Sequence, residues 1–228
     1  FNIEKVFKKG ELMYSDGVLK DFPTPEIDPY LVKHAHDTFH VASLSAEDFI
    51  DRRPHAVIGM VNGEITTTDG GYTDRIDVDY DILKIAVIER HKNTHHIGLG
   101  YIKGYGLKKG AVATSISHDS HNIIVVGTNE EDMAFAANHI VRNHGGITVV
   151  EDGAVKGDVL LAIAGIMSDD SLVNVNRDLE SAKAAAYALG VSEGIDPFMT
   201  LSFMALPVIP SLRITTRGVF DVTSQRYV

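Results

Sequence analysis

The run Ala111-Val112-Ala113-Thr114-Ser115-Ile116-Ser117-His118-Asp119-Ser120-His121-Asn122-Ile123-Ile124-Val125-Val126-Gly127 decides how this chain folds. Its two ends, 111–117 and 122–127, are short apolar runs with β-branched residues, the pattern of buried strands. Between them, Ser117-His118-Asp119-Ser120-His121-Asn122 places two imidazoles and a carboxylate where a simple hairpin would put Asn-Gly or Asp-Gly. In an extended conformation His118, Ser120 and Asn122 share one face, and Asp119 and His121 share the other. A bend instead brings all of them toward one pocket. The plainer alternative is a polar turn in which Asp119 bonds backbone N–H groups.

Working outward, similar short apolar segments recur at 55–61 and 83–90, separated by Gly-rich turns. The segments 147–151 and 154–163 flank Asp152-Gly153, a strong hairpin signal. A helix is expected over 129–144: Asn129 caps it, Glu130 and Glu131 favour its positive end, and Gly145 stops it. A second is expected over 176–189, capped by Asn176, lined by Leu179, Ala182, Ala186 and Leu189, and ended by Gly190. Residues 6–20 read as a β-hairpin with turns at Lys9-Gly10 and Asp16-Gly17. Pro23, Pro25 and Pro29 then favour extended backbone in the residues before them, which marks a linker. The fold class is α+β: a strand-rich domain over 26–228 with a few helices, preceded over 1–25 by a β-hairpin that is part of a small sheet.

Composition narrows the chemistry. The 228 residues carry 21 Lys and Arg against 31 Asp and Glu, a net charge of −10. Phosphate binding needs clustered basic residues, so no nucleic-acid partner is expected. Cysteine is absent. That excludes a disulfide framework, Cys-ligated zinc and thiol catalysis, and suits a reducing cytoplasm. No apolar run reaches the ~18 residues of a membrane span, so no membrane partner is expected. The start, Phe1-Asn2-Ile3-Glu4-Lys5-Val6, lacks an initiator Met and a signal peptide's apolar stretch, and reads as the continuation of a longer polypeptide.

Histidine is abundant, with 11 residues. His34-Ala35-His36 on a strand would put two imidazoles on one face, a workable ligand pair, but it stands in polar sequence and reads as a solvated surface run. His91-Lys92-Asn93-Thr94-His95-His96 precedes a Gly-rich passage over 98–110. Glycine there either lets backbone N–H groups approach a ligand or belongs to an irregular connection. It is not a P-loop, since no Gly-Lys-Ser/Thr follows at the required spacing. Without Cys the chain lacks the Pro-Cys-x-x-Cys of zinc-dependent cytidine-type deaminases. It also has no Gly-x-Ser-x-Gly elbow.

At the polar segment the chain meets a known family. Gly104-Tyr105-Gly106-Leu107-Lys108-Lys109-Gly110, running into His118-Asp119-Ser120-His121-Asn122-Ile123-Ile124-Val125-Val126-Gly127 and Thr128-Asn129-Glu130-Glu131-Asp132-Met133, closely resembles the C-terminal region of adenine deaminases, members of the amidohydrolase superfamily. So do Gly145-Gly146, Ala164-Gly165-Ile166-Met167-Ser168, Asp196-Pro197-Phe198-Met199-Thr200-Leu201-Ser202-Phe203, Leu206-Pro207-Val208-Ile209-Pro210 and Leu212-Arg213-Ile214-Thr215 with Gly218-Val219-Phe220-Asp221-Val222. The resemblance starts near residue 45.

It implies a hydrolase that converts adenine and water to hypoxanthine and ammonia in purine salvage, using manganese or iron held by an upstream barrel absent from this chain. The segment 1–25 resembles the closing strands of the β-sandwich that accompanies such barrels. His34 and His36 are then not the barrel's His-x-His, which belongs far upstream. The domain is expected to close over the barrel, with His118, Asp119 and His121 as catalytic candidates and Ser120 and Asn122 as substrate contacts. None of these is expected to bind metal, and the fragment alone is expected to be inactive. His95-His96 departs from the small or polar residues usual there and bears on substrate preference. Expected partners are adenine, the upstream barrel of the same polypeptide and further copies of the chain. The alternative is a structural or oligomerisation module, with the Met- and Phe-rich segment 198–206 as a buried or subunit-facing stripe. A weaker reading is a self-sufficient histidine-rich metal protein.

Overall fold

Apolar runs that do not alternate with polar residues need cover on both faces, and the fold of this chain supplies it. The structure, a computed structural model, describes residues 2–23 and 25–228; Phe1 and Thr24, the latter inside the expected linker, lie outside the described residues. The chain forms two compact units, residues 1–32 and 33–228.

The first unit contains strands β1 (Lys5–Lys8), β2 (Glu11–Ser15) and β3 (Val18–Leu19) in one antiparallel sheet. Its two tight turns place Lys9 at φ 52° with Gly10 at 82°, and Asp16 at φ 55° with Gly17 at 82°. Paired left-handed residues of this kind match the twist of a two-residue hairpin. Phe7, Val18 and Leu19 are all more than 60% exposed, so this sheet has no covered apolar face.

Helix α1 (Pro29–His36) straddles the division between the units. His34 and His36 therefore stand on a helix and not on a strand. Two residues apart they point about 200° apart around the axis, so they do not make a same-face pair.

The second unit is built on β4 (His55–Met60), β5 (Thr67–Thr73), β6 (Ile82–Ile88), β7 (Ile97–Lys103), β8 (Ala111–Thr114), β9 (Ile123–Gly127), β10 (Gly146–Glu151) and β11 (Ala154–Leu160). They make one eight-stranded sheet in the order β11-β10-β8-β9-β6-β7-β4-β5. Among the described pairings, β4 and β7 run parallel and the others are antiparallel. Three of the helices in this unit are α2 (Glu130–Arg142), α3 (Leu172–Ala188) and α4 (Pro197–Met204); the chain ends in a small antiparallel sheet of β12 (Leu212–Thr215), β13 (Gly218–Asp221) and β14 (Arg226–Tyr227).

Alternate residues of each central strand enter different cores. Ile85, Val87, Val112, Ile124 and Val126 join α3, α4 and the β12–β13 hairpin on one side. Ala86, Ile88, Ala113, Ile123 and Val125 join α2, Phe39, Leu44 and Phe49 on the other. Full burial of each such aliphatic side chain is worth roughly 1.5–3 kcal/mol for the larger ones. The α+β class is thus realised as a central sheet with cover on both faces.

Three local expectations change, and the burial of the 198–206 stripe is met. The passage 98–110 is not wholly irregular: its first part is β7. A Cβ on Gly98 would stand 1.9 Å from the Thr215 carbonyl oxygen, so this glycine admits the C-terminal hairpin and not a ligand. Gly104 and Gly106 donate their N–H groups to the Asp81 carboxylate at 2.9 and 2.8 Å, so these donors are already satisfied within the chain. Helix α3 begins earlier than periodicity suggested, because Ser171 rather than Asn176 caps it by accepting the Asn174 N–H at 3.2 Å. The stripe 198–206 is mostly helix α4, started by Asp196, which accepts the Phe198 and Met199 N–H groups at 3.0 and 2.9 Å. Phe198, Leu201 and Met204 are buried in the core of this same unit.

Candidate functional site

Strands β8 and β9 pair antiparallel from Ala111↔Gly127 to Thr114↔Ile124, shorter than the apolar run suggested. Ser115 leaves the ladder to bond elsewhere: its hydroxyl donates to the Gly165 carbonyl at 2.6 Å and accepts the Gly146 N–H at 2.9 Å. The loop then bends. His121 has φ 49°, and its N–H donates to the Ser117 carbonyl at 2.6 Å. The bent arrangement, and not the extended one, is the one adopted.

The bend brings the five candidate residues together in unequal ways. The His118 and His121 rings lie 6.4 Å apart, and His118 also packs against Phe203 of α4 at 4.8 Å. The His118 N–H donates to the Ser202 carbonyl at 3.2 Å, which ties the loop to α4. The Asp119 side chain is 89% exposed and stands 3.9 Å from His118 Nδ1. It does not bond the backbone of a turn among the described hydrogen bonds. Ser120 is exposed, and its carbonyl accepts His91 Nε2–H at 2.8 Å. Asn122 is buried, and its Oδ1 accepts the Arg90 N–H at 3.3 Å.

Asp119, Ser120 and Asn122 line an open cleft of about 300 Å³, together with Val87, Leu206, Val208, Thr215 and others. His118 and His121 are not in that lining. His121 Nδ1 and the neighbouring Ser117 Oγ are nonetheless buried with no hydrogen-bond partner. Buried polar atoms usually find one, and among the described residues those of His55, Tyr101, Thr148, Ser202 and Arg213 share this condition.

The charge state of His121 follows from its surroundings. Burial disfavours the imidazolium, and the Arg90 charge adds to that effect, as do the neighbouring His118 and His91, while Asp119 opposes it. The net result holds His121 below the ordinary histidine range. A neutral ring near pH 7 can accept a proton, which is what a general base requires.

The second histidine cluster flanks this site differently. Glu89 folds the 89–96 turn around its carboxylate, accepting the His91 N–H at 2.6 Å, the Lys92 N–H at 3.0 Å and the Thr94 hydroxyl at 2.9 Å. His95 turns away and pairs with Asp48 at 3.0 Å, and the His96 carbonyl accepts the Glu89 N–H at 3.0 Å. Neither His95 nor His96 lines the cleft beside Asn122. Arg90, which the sequence does not single out, is buried beside the loop; its one signal is a charged residue at the end of an otherwise apolar segment.

Among the described residues, no group of three or more His, Cys, Asp or Glu is arranged to bind a metal ion. No helix among the described residues is long and apolar enough to cross a membrane.

Residues 59–226 match the adenine deaminase C-terminal domain. The adenine deaminase of Bacillus subtilis is 50% identical over 152 residues, covering 67% of this chain and 26% of that protein. Adenine deaminase 2 of Carboxydothermus hydrogenoformans is 39% identical over 237 residues, covering 98% of this chain and 40% of its own length. The adenine deaminase of Dehalococcoides mccartyi is 40% identical over 237 residues, 100% of this chain and 41% of its own. This chain thus spans about two-fifths of the length of relatives that it matches end to end.

Proposed function

From the premise that this chain belongs to the adenine deaminase family, as its C-terminal domain, we propose that it completes the active site of a polypeptide that hydrolyses adenine to hypoxanthine and ammonia. The observation that carries this reading is the 115–122 loop: a bent, polar connection with unpartnered buried atoms at His121 and Ser117, beside an open cleft. The cleft's lining combines the Asn122 amide and the Asp119 carboxylate with apolar Leu206, Pro207 and Val208. That is the mixture by which a planar heterocycle is held and oriented.

In this reading His121, neutral at its ring, accepts a proton from the attacking water as its oxygen bonds the amino-bearing carbon, and passes that proton to the departing amine, so that ammonia and not its anion leaves as the carbon–nitrogen bond breaks. His118 lies within one ring contact of His121 and extends the same proton path. Asp119 and Asn122 orient the heterocycle, and Ser120 contributes a polar contact at the rim. The metal ion, manganese or iron, belongs to the upstream barrel, and no step at the described residues depends on it. The opening sheet of residues 5–19 is assigned to the barrel's accompanying sandwich, whose further strands would cover the apolar side chains exposed here. The product chemistry suits purine salvage in the cytoplasm, by an enzyme that works as an assembly of several copies.

The test is a full-length polypeptide carrying His121→Ala, assayed for adenine turnover and metal content. The expected outcome is loss of most turnover with the metal retained. Wild-type turnover in a folded, metal-loaded variant overturns the assignment and favours a purely structural domain.

A further inference from the structure

One side chain ties the 115–122 loop to two other segments. Arg90 follows β6 and is 2% exposed. Its Nε–H donates to the His121 carbonyl. Its Nη1 donates to the Thr38 carbonyl at 3.0 Å and the Thr38 hydroxyl at 3.2 Å, and Nη2 to the Ala164 carbonyl at 2.9 Å. The guanidinium lies 4.2 Å from the centre of the Phe39 ring. The backbone repeats the connection: the Arg90 N–H reaches Asn122 Oδ1 at 3.3 Å, and the His40 N–H donates to the Arg90 carbonyl at 2.8 Å.

Among the described side-chain bonds of Arg90, no acceptor is a carboxylate. The neighbouring Glu89 is occupied by its own turn. A buried cation whose described hydrogen bonds all go to neutral oxygens, with the Glu89 carboxylate acting on it only through its charge, is an expensive way to close a loop, since carbonyl oxygens could be capped by neutral groups. What the guanidinium adds is a rigid fork that reaches three separate chain segments at fixed angles. One of its prongs holds the residue whose imidazole Nδ1 is buried without a partner.

We propose that Arg90 is the positioning residue of this site, locking His121 through its carbonyl onto the end of β6 and onto the segments around Thr38 and Ala164, so that the imidazole meets the departing amine in one orientation. The proposal rests on the reading of His121 as the proton carrier. The same placement makes Arg90 one of the charges facing that ring, together with His118 and His91, which add to its effect, and Asp119, which opposes it. Orientation and charge are therefore separable by substitution. Lysine keeps the charge and loses the fork, whereas glutamine loses both.

The experiment uses the full-length polypeptide with Arg90→Lys, Arg90→Gln and His121→Ala as three variants. It reads kcat and KM for adenine, the pH profile of kcat, and the His121 titration by NMR of histidine-labelled protein. Arg90→Lys is expected to lose roughly 10- to 100-fold in kcat, the scale of a small misplacement of a reacting group, with KM and the His121 titration near wild type. Arg90→Gln is expected to lose at least as much, and to move both the His121 titration and the acid limb of the rate profile to higher pH. Folded Arg90 variants with wild-type kcat overturn the proposal, and so does a fall in thermal stability alone with kcat and pH profile unchanged. Where Arg90→Gln does not fold, Arg90→Lys decides by the same kcat criterion. Wild-type turnover in His121→Ala removes the underlying reading instead, whatever the Arg90 variants do.

Discussion

Two connections in the same sheet join antiparallel neighbours, and they are built on opposite principles. Between β10 and β11 the chain turns on Asp152 and Gly153, at φ 51° and 67°. The two N–H groups of that turn donate to the Asp132 carboxylate at 3.2 and 2.8 Å. Between β8 and β9 the chain spends residues 115–122, buries two side-chain atoms without partners, and enlists a buried arginine to hold its shape. The first turn is the shortest that strand twist allows, and its donors are met by a nearby helix. The second is longer than closure requires. Its unmet atoms are not unique in the sheet, since His55 of β4, Tyr101 of β7 and Thr148 of β10 also bury a polar atom without a partner; what sets the loop apart is its excess length and the convergence of Ser117, His118 and His121 beside a cleft.

Breaking each connection should therefore fail in a different way. His121→Ala in the full-length protein is expected to cost about 10²–10⁴-fold in turnover, the usual range for a lost proton-transfer group, with little change in thermal stability. Steady-state assay beside a melting curve separates the two. Asp132→Ala is expected to do the reverse: unpairing the two turn amides should cost about 1–3 kcal/mol of stability by chemical denaturation, with turnover per folded molecule unchanged. Gly153→Ala is a gentler version. A Cβ there meets no atom within 4 Å, so only the left-handed backbone is penalised, by about 1–2 kcal/mol.

The pH dependence sharpens the comparison further. His121 titrates below its ordinary value of 6.5 in the folded chain. The unfolded chain therefore binds the proton first as pH falls. The contribution of this group to stability is complete above about 6.5 and declines as the pH drops toward the folded value. Denaturation of wild type and His121→Ala at a series of pH values should show this slope in their difference, and the Asp152-Gly153 turn should contribute none. An absent or reversed slope would mean that the ring is not desolvated beside Arg90.

The comparison also measures what was readable in advance. Asp152-Gly153 announces its turn because two adjacent residues set their own dihedral angles. The α2 cap is equally local: Asn129 Oδ1 accepts the Asp132 N–H at 2.7 Å, as the pattern indicates. The cap of α3 differs from the expected one because Ser171 and Asn176 are both plausible on local grounds, and it is Ser171 whose hydroxyl accepts an N–H, that of Asn174 at 3.2 Å. Strand β7 was hidden by its glycines, which weaken a strand signal and exist to admit a hairpin more than 110 residues later.

At the candidate site, the residue types at 118–122 were legible, but their division of labour was not. Asn122 and Asp119 face a cleft, while the histidines pack against each other and Phe203. The sequence by itself determined the strand-rich α+β class, since short β-branched runs bounded by Gly-rich turns favour buried strands, and it determined the family through long motifs held within single segments. Only the tertiary structure decided that Arg90 belongs to His121, Thr38 and Ala164, which lie 31, 52 and 74 residues away. It likewise set Lys84 of β6, 3% exposed, against Glu130 at 2.6 Å. Dihedral preferences and periodicity act over a few residues, whereas the partner of a buried charge is chosen by which distant segments the sheet order brings within a hydrogen bond's reach.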